Sequence, residues 1–222
     1  MFSYLFMRVL ENRPRSYDRR MNKISQGHLK SVRENVIREI PENAQVLEIG
    51  CGTGELATML LSRGAAITAF DVNPAMVAVA RERVKTRGLK NKLTIKEMGI
   101  EGMDNLPSAS YDAVVSTLVF SELSADERHF ALMHSKRVLK PGGILIIADE
   151  VVAHKAVRKL LQFFVRLPML VLIYLVSHSS NRPLYNLPAD LNNAGFKVKK
   201  EIRSKGGTFA MVVGGVPQIN KT

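Results

Sequence analysis

Cysteine is almost missing from this chain of 222 residues. Cys51 stands alone, so no disulfide framework exists, and the composition suits a reducing compartment, with the cytoplasm as the expected location. Tryptophan is absent and aromatic residues amount to 6%, which leaves little of the stacking surface that nucleic-acid binders use. The five histidines are scattered, with no H-x-x-x-H pair beside a carboxylate, and no metal site is expected. Long hydrophobic runs are lacking as well. The apolar stretch at 167–176, LPMLVLIYLV, falls short of the roughly 18 residues a bilayer span requires, and Arg166 and Pro168 interrupt its surroundings. The opening MFSYLFMRVLENRPR carries Glu11 and no small-residue cleavage signature, so a secretory signal peptide is not expected.

What is present is ordinary for a globular core, at 46% hydrophobic and 23% charged residues, but the formal net charge is +12. That charge is uneven: residues 1–44 carry a net +4, residues 45–150 a net −1 and residues 151–222 a net +9. A neutral middle flanked by basic ends predicts a catalytic core whose additions face something anionic.

Apolar residues at Ile24, Leu29, Val32, Val36 and Ile40 predict one amphipathic helix over 21–40, ended by Pro41. Strand and helix then alternate. Strands are expected at 45–49, 66–70, 92–97, 111–117 and 143–148, and helices at 55–63, 74–87 and 125–139. A helix at 187–194 and an antiparallel strand pair at 197–202 and 209–213 close the chain. Alternation of this kind predicts a doubly wound, mostly parallel seven-stranded α/β sheet. Four segments are expected within one domain: an N-terminal helical lid at 1–44, a ligand-binding core at 45–150, an apolar and basic helical insert at 151–186, and the closing helix and strands at 187–222.

The first strand runs into Glu48, Ile49, Gly50, Cys51, Gly52, Thr53 and Gly54 and then a helix, an E-x-G-x-G-x-G turn where the backbone must bend sharply and approach a ligand. Asp71 ends the next strand, where a carboxylate can accept both hydroxyls of a ribose; the alternative is a helix cap ahead of Pro74. Neither G-x-G-x-x-G nor G-x-x-x-x-G-K-[ST] is present, which argues for an adenosine without a phosphate chain.

Residues 44–143 resemble the class I S-adenosylmethionine-dependent methyltransferases through VLEIGCGTG, AFDVNPAMV, SYDAVVSTLVF and VLKPGG. The resemblance implies a Rossmann-like methyltransferase fold and S-adenosylmethionine as methyl donor, without a metal. It implies donor binding by Glu48, Gly50, Cys51, Gly52, Thr53, Gly54, Asp71, Val72, Ser116 and Thr117. Relatives place an aspartate before the third-motif helix, whereas this chain reads Met98, Gly99, Ile100, Glu101, so adenine recognition is assigned to the Gly99 and Ile100 backbone with Glu101 beside it. FSYLFMRVLENRPRSYDRRMN, STLVFSELS, ADEV and SSNRP are similar to the corrinoid protein-associated methyltransferases, and by that resemblance alone a corrinoid protein is a candidate partner.

A sulfonium methyl is already activated, so the protein must align donor and acceptor, exclude water and, for a weakly acidic acceptor, remove a proton. Tyr17, Glu122 and Glu150 are the catalytic candidates, with Asp18, Ser121, Asp149 and His154 within expected reach. Tyr17 resembles the lid tyrosines of related enzymes. Glu122 follows an apolar strand end and suits a base if buried, or else begins the next helix near Ser124; Glu150 with Asp149 suits a cationic acceptor or a turn cap.

Three function classes are separable. A methyltransferase of small-molecule or lipid-like acceptors fits the apolar insert with Lys155, Arg158, Lys159 and Arg166, which also suggests peripheral contact with an anionic membrane. A nucleic-acid methyltransferase fits poorly, because STLVFSEL replaces the N/D-P-P-Y/F motif that holds a flipped base. The third class is a noncatalytic S-adenosylmethionine-binding partner of another enzyme.

Overall fold

The computed structural model describes residues 14–25, 28–89, 92–152, 184–204 and 207–217. The expectations for residues 1–13, for His154, for the body of the insert with its four cations and for SSNRP fall outside the described residues.

Seven strands form one sheet: β1 (Gln45–Ile49), β2 (Ala66–Asp71), β3 (Leu93–Glu97), β4 (Tyr111–Thr117), β5 (Leu139–Glu150), β6 (Lys197–Arg203) and β7 (Phe209–Gly215). Their spatial order is β3-β2-β1-β4-β5-β7-β6. The first five are parallel, and β7 joins β5 and β6 antiparallel. The helices are α1 (Pro14–Ile24), α2 (His28–Glu39), α3 (Glu55–Leu61), α4 (Pro74–Thr86), α5 (Ala125–Val138) and α6 (Leu187–Asn193), with a 3-10 turn at Ile100–Asn105. The doubly wound, mostly parallel seven-stranded expectation holds.

Period-two alternation in the central strands separates two cores. Val46, Val115 and Ile146 face Val36 of α2, Ile40 just past it, and Leu56 and Leu60 of α3, while Leu47, Val114 and Ile147 face Leu132, Val138 and Leu191 of α5 and α6. Chain order reverses where β1 lies between β2 and β4, so the crossovers leave in opposite directions and open a crevice at the carboxyl ends of those strands.

Two local expectations need correction. The helix foreseen over 21–40 is two helices: the chain leaves α1 at Ser25, whose backbone N–H donates to the Met21 carbonyl and whose Oγ accepts from Leu29 N–H at 3.4 Å, restarting as α2. A hydroxyl that satisfies the first turn of a new helix overrides continuous apolar spacing. β5 starts at Leu139, earlier than 143, because the turn at 140–143 is absorbed as a register shift against Tyr111 and Ala113. Residues after β3 form a 3-10 turn whose Leu106 N–H returns to the Met103 carbonyl.

Helix α5 begins with a capping box. Ser124 Oγ accepts from Glu127 N–H at 3.2 Å, and Glu127 Oε2 accepts from Ser124 N–H at 2.7 Å. Ser124→Ala removes half of this exchange and is expected to cost about 1 kcal/mol, seen as a fall of roughly 2–4 °C in Tm for a chain of this size in a circular-dichroism melt. An unchanged Tm would show that the box does not support α5.

Candidate functional site

The crevice at the β1–β4 switch is a cavity of about 550 Å³. Its floor is the turn from β1 into α3. Gly50 and Gly52 have φ of +69° and +50°, which side-chain-bearing residues rarely adopt, and a Cβ at Gly50 would collide with the Val119 side chain. A Cβ at Gly52 would meet nothing, because that backbone borders the cavity.

The turn is anchored to β2. Gly50 and Cys51 N–H groups both donate to the Phe70 carbonyl at 2.9 Å. Gly52 N–H donates to Asp71 Oδ2 at 2.7 Å, and Asn73 N–H donates to Asp71 Oδ1 at 2.9 Å. Asp71 is therefore not the helix cap. That part belongs to Asn73, whose Oδ1 accepts from Ala75 and Met76 N–H groups. One lone pair on each Asp71 oxygen is thus committed to backbone, and each oxygen retains acceptor capacity.

The opposite wall comes from α1 and α2, which place Tyr17, Leu29 and Arg33 against the cavity. Met21 and Leu29 pack with Tyr17 and with Leu118, a non-glycine residue held at φ +61° just past β4. Ion pairs fasten this cover. Asp18 Oδ2 accepts from Arg83 Nη2 at 2.5 Å and Thr53 Oγ1 at 2.7 Å, Asp18 Oδ1 meets Arg33 Nη2 at 3.4 Å, and Arg83 Nη1 reaches Glu55 Oε2 at 2.7 Å. One carboxylate on α1 thereby joins the glycine turn, α2 and α4.

The cavity gathers Glu48, Gly50, Cys51, Gly52, Thr53, Asp71, Val72, Gly99, Ile100, Glu101, Thr117, Tyr17 and Glu122 from the sequence-based candidates. Gly54, Ser116 and Glu150 do not line it; Gly54 lies against Ala80 of α4. Ser116 is fully buried on the strand with Oγ donating to the Ile49 carbonyl at 3.3 Å, because strand alternation turns it away from Thr117. Glu150 is buried at the end of β5, where its amide donates to Asp149 Oδ1 at 2.6 Å. Glu122 lines the cavity but is exposed, and Glu127, not Glu122, completes the helix cap. Sequence reasoning missed Arg33; its position on the buried stripe of α2, at i−3 from Val36, was the available signal.

Electrostatically the cavity is acidic. Glu48 is fully buried, which drives its pKa from 4.5 to about 8 against the opposing pull of Arg33, and its Oε2 has no hydrogen-bond partner among the described residues. Burial also raises Asp71, against the backbone N–H groups that stabilise its charge. Asp149, behind the cavity, is raised to about 6 by burial, although Ser121 and Glu150 amides donate to it. Burial pushes the Cys51 thiol upward, so it is a packing residue and not a thiolate nucleophile. Among the described residues no group of three or more potential metal ligands occurs.

Bare glycine backbone, a carboxylate with spare acceptor capacity at the end of β2 and an orphaned buried carboxyl oxygen suit a nucleoside carrying a cationic group. Comparison with known proteins agrees. Residues 47–147 match the methyltransferase domain family. A malonyl-[acyl-carrier protein] O-methyltransferase of Paenibacillus sp. (strain JDR-2) is 35% identical over 123 residues, which cover 53% of this chain and 42% of that protein. A phosphatidylethanolamine N-methyltransferase of Cereibacter sphaeroides is 34% identical over 106 residues, covering 48% and 50%. The chain therefore spans half or less of the length of these curated relatives. The structure of an O-methyltransferase family protein from Burkholderia thailandensis superposes with a TM-score of 0.71 at 20% identity, covering 93% of this chain and 60% of that one, which establishes a shared fold.

Because Glu48 binds its proton more tightly folded than unfolded, the native state holds more protons between pH 4.5 and about 8, and stability falls as pH rises through that window. Glu48→Gln, which cannot ionise, is expected to lose less stability over this range and to melt above the wild type at pH 8 in ligand-free thermal denaturation. Parallel melting curves for the two proteins across the window would contradict a neutral native Glu48.

Proposed function

We propose that this chain transfers a methyl group from S-adenosylmethionine to a small-molecule or lipid-like acceptor. The observation that carries the reading is the cavity itself: glycine backbone on its floor, Asp71 at one side, and Leu29, Leu118, Val119 and Leu123 with Tyr17 where an acceptor would lie.

When bound, the donor supplies a methyl already activated on a sulfonium. Asp71 accepts the ribose hydroxyls with its remaining lone pairs, and Val72, which is largely exposed at the rim, covers the base beside Gly99 and Ile100. Gly50, Gly52 and Thr53 let the chain approach closely, and Glu48 receives the donor's ammonium, a contact that favours its charged form. Thr117, past which β4 ends, borders the methyl. Ser116 and Gly54 act behind these residues, through the strand and the start of α3.

On the acceptor side Tyr17 orients the incoming group, and the exposed Glu122 accepts a proton from an acidic acceptor. Closure of α1 and α2 over the site excludes water, and the pairing of Asp18 with Thr53 and Arg83 holds the closed position. Glu150, outside the cavity lining, is assigned to shaping the end of β5.

A lipid-like acceptor is supported by the apolar wall and by relatives that include an enzyme of phosphatidylethanolamine. The net +9 of residues 151–222 supports peripheral contact with an anionic membrane, and among the described residues no helix is long and apolar enough to cross one. A corrinoid partner is supported only by the sequence pattern described above.

Incubation with isotopically labelled donor and phospholipid, quinol and thioester acceptors, followed by mass spectrometry, is expected to give a labelled product of one of these classes. Asp71→Ala removes the charged acceptor for two hydroxyls and is expected to weaken donor binding by about 1.5–3 kcal/mol, or roughly ten- to 150-fold, in titration calorimetry. Unchanged affinity in a folded Asp71→Ala protein would remove the ribose assignment.

A further inference from the structure

We propose that Asp149 is a positioning residue for the acceptor: from behind the cavity it fixes the loop at 118–123, which supplies the acceptor's wall, and it leaves the donor's floor alone. This rests on the acceptor assignment above.

The loop joins β4 to α5 and sends its side chains in two directions. Leu118, Val119, Glu122 and Leu123 line the cavity, whereas Phe120 and Ser121, at 1% and 4% exposure, are buried. Phe120 packs into the core built on β4, β5 and α5. Ser121 meets Asp149. Its N–H donates to Asp149 Oδ2 at 3.1 Å, and its hydroxyl adds a second hydrogen bond to the same carboxylate. The other oxygen, Oδ1, accepts from Glu150 N–H at 2.6 Å, which orients the carboxylate on β5. Glu122 N–H closes a tight turn on the Val119 carbonyl at 2.9 Å, so a shift at Ser121 carries Val119 and Glu122 with it.

The start of the loop carries strain. Leu118 is held at φ +61°, a backbone that a leucine keeps only where its surroundings over-determine it. Those surroundings lie on β5, where the Ala148 carbonyl accepts Leu118 N–H at 2.9 Å and Asp149 is the next residue. Asp149 is itself wholly buried, and removal from water raises its pKa to about 6 against the Ser121 and Glu150 donors. A carboxylate is costly to bury, and a neutral side chain would fill the place at lower cost if packing alone were required. The donor's floor has separate anchors, the Phe70 carbonyl and Asp71 on β2. Val119 packs over Gly50, whose own amide is fixed by Phe70. Donor side and acceptor side are thus held by acids on different strands, and each can be disturbed without the other.

The test measures methyl transfer and donor binding by wild type, Asp149→Asn and Ser121→Ala, with labelled S-adenosylmethionine and the phospholipid, quinol or thioester acceptor that wild type methylates. Asp149→Asn keeps the shape but offers one acceptor oxygen in place of two, and is expected to raise the acceptor KM at least about fivefold while the donor Kd from titration calorimetry stays within about twofold. Ser121→Ala loses the hydroxyl and keeps the amide, and should raise the acceptor KM about two- to threefold with the donor Kd again unmoved; it decides the matter if Asp149→Asn fails to fold. Hydrogen exchange read by mass spectrometry should quicken over 118–123 in both variants and stay as in wild type over 50–54. An unmoved acceptor KM, a donor Kd that weakens as much as the acceptor KM rises, or exchange that quickens equally over both segments overturns the proposal. Absence of labelled product with wild type would overturn the acceptor assignment and the proposal with it, an outcome distinct from wild-type turnover with an unmoved acceptor KM in the variants, which would overturn only the role of Asp149.

Discussion

The carboxylate of Asp71 holds together the part of the molecule on which the rest depends. It accepts from Gly52 in the first turn and from Asn73 at the start of α4, while its own carbonyl accepts from Met98 N–H beyond β3. Three consecutive carboxyl-terminal strand ends are thereby tied at one residue. Without that tie the Phe70 carbonyl would be left as the acceptor on β2 for the amides of the left-handed glycine turn. The arrangement makes the floor rigid before any ligand arrives, which is the condition for binding energy to be used in orientation and not in ordering the chain.

The cover obeys a different logic. Its apolar contribution is small, a satellite of Met21 and Leu29 with Tyr17 and Leu118 in support, so burial alone would hold α1 weakly. Charge supplies the remainder, through an acid on α1 facing cations on α2 and α4 that are themselves partly shielded from water. Ion pairs of this kind are sensitive to geometry, and they favour one seating of the helix over many approximate ones. Floor and cover thus differ in kind: backbone hydrogen bonds make one permanent, and side-chain charges make the other specific.

Legibility in the sequence followed the same division. β1 and β4 were readable to the residue, because a fully buried strand bounded by a turn leaves no freedom in its pattern, and the glycine turn with Asp71 was readable because backbone conformation restricts residue type. The break at Ser25 was not readable. Apolar spacing continues across it from Ile24 to Leu29, and only the serine hydroxyl's choice of partner ends one helix and begins the next. Arg33 was invisible for a related reason: on an amphipathic helix a charged residue reads as solvent-facing, and only the fold of α2 over the crevice buries it. Ser116 and Glu150 were placed at the site by their closeness to strand ends, but a one-residue step along a strand exchanges the cavity for the core.

The end of β5 has a consequence of another sort. Val151 bridges to Leu184, Val152 N–H donates to the Leu184 carbonyl and Leu184 N–H donates to the Glu150 carbonyl, so the chain departs and returns through the same doorway. The register of β5 against β7 is set on the strand side of that doorway, from Ile144 opposite Gly215 to Glu150 opposite Phe209. Whatever length or composition residues 153–183 take, the sheet is already closed behind them, and the entropic cost of a longer excursion grows only logarithmically. This is a grafting point: evolution or an engineer can exchange the passage between Val152 and Leu184 while the sheet and the crevice at its carboxyl ends are inherited unchanged.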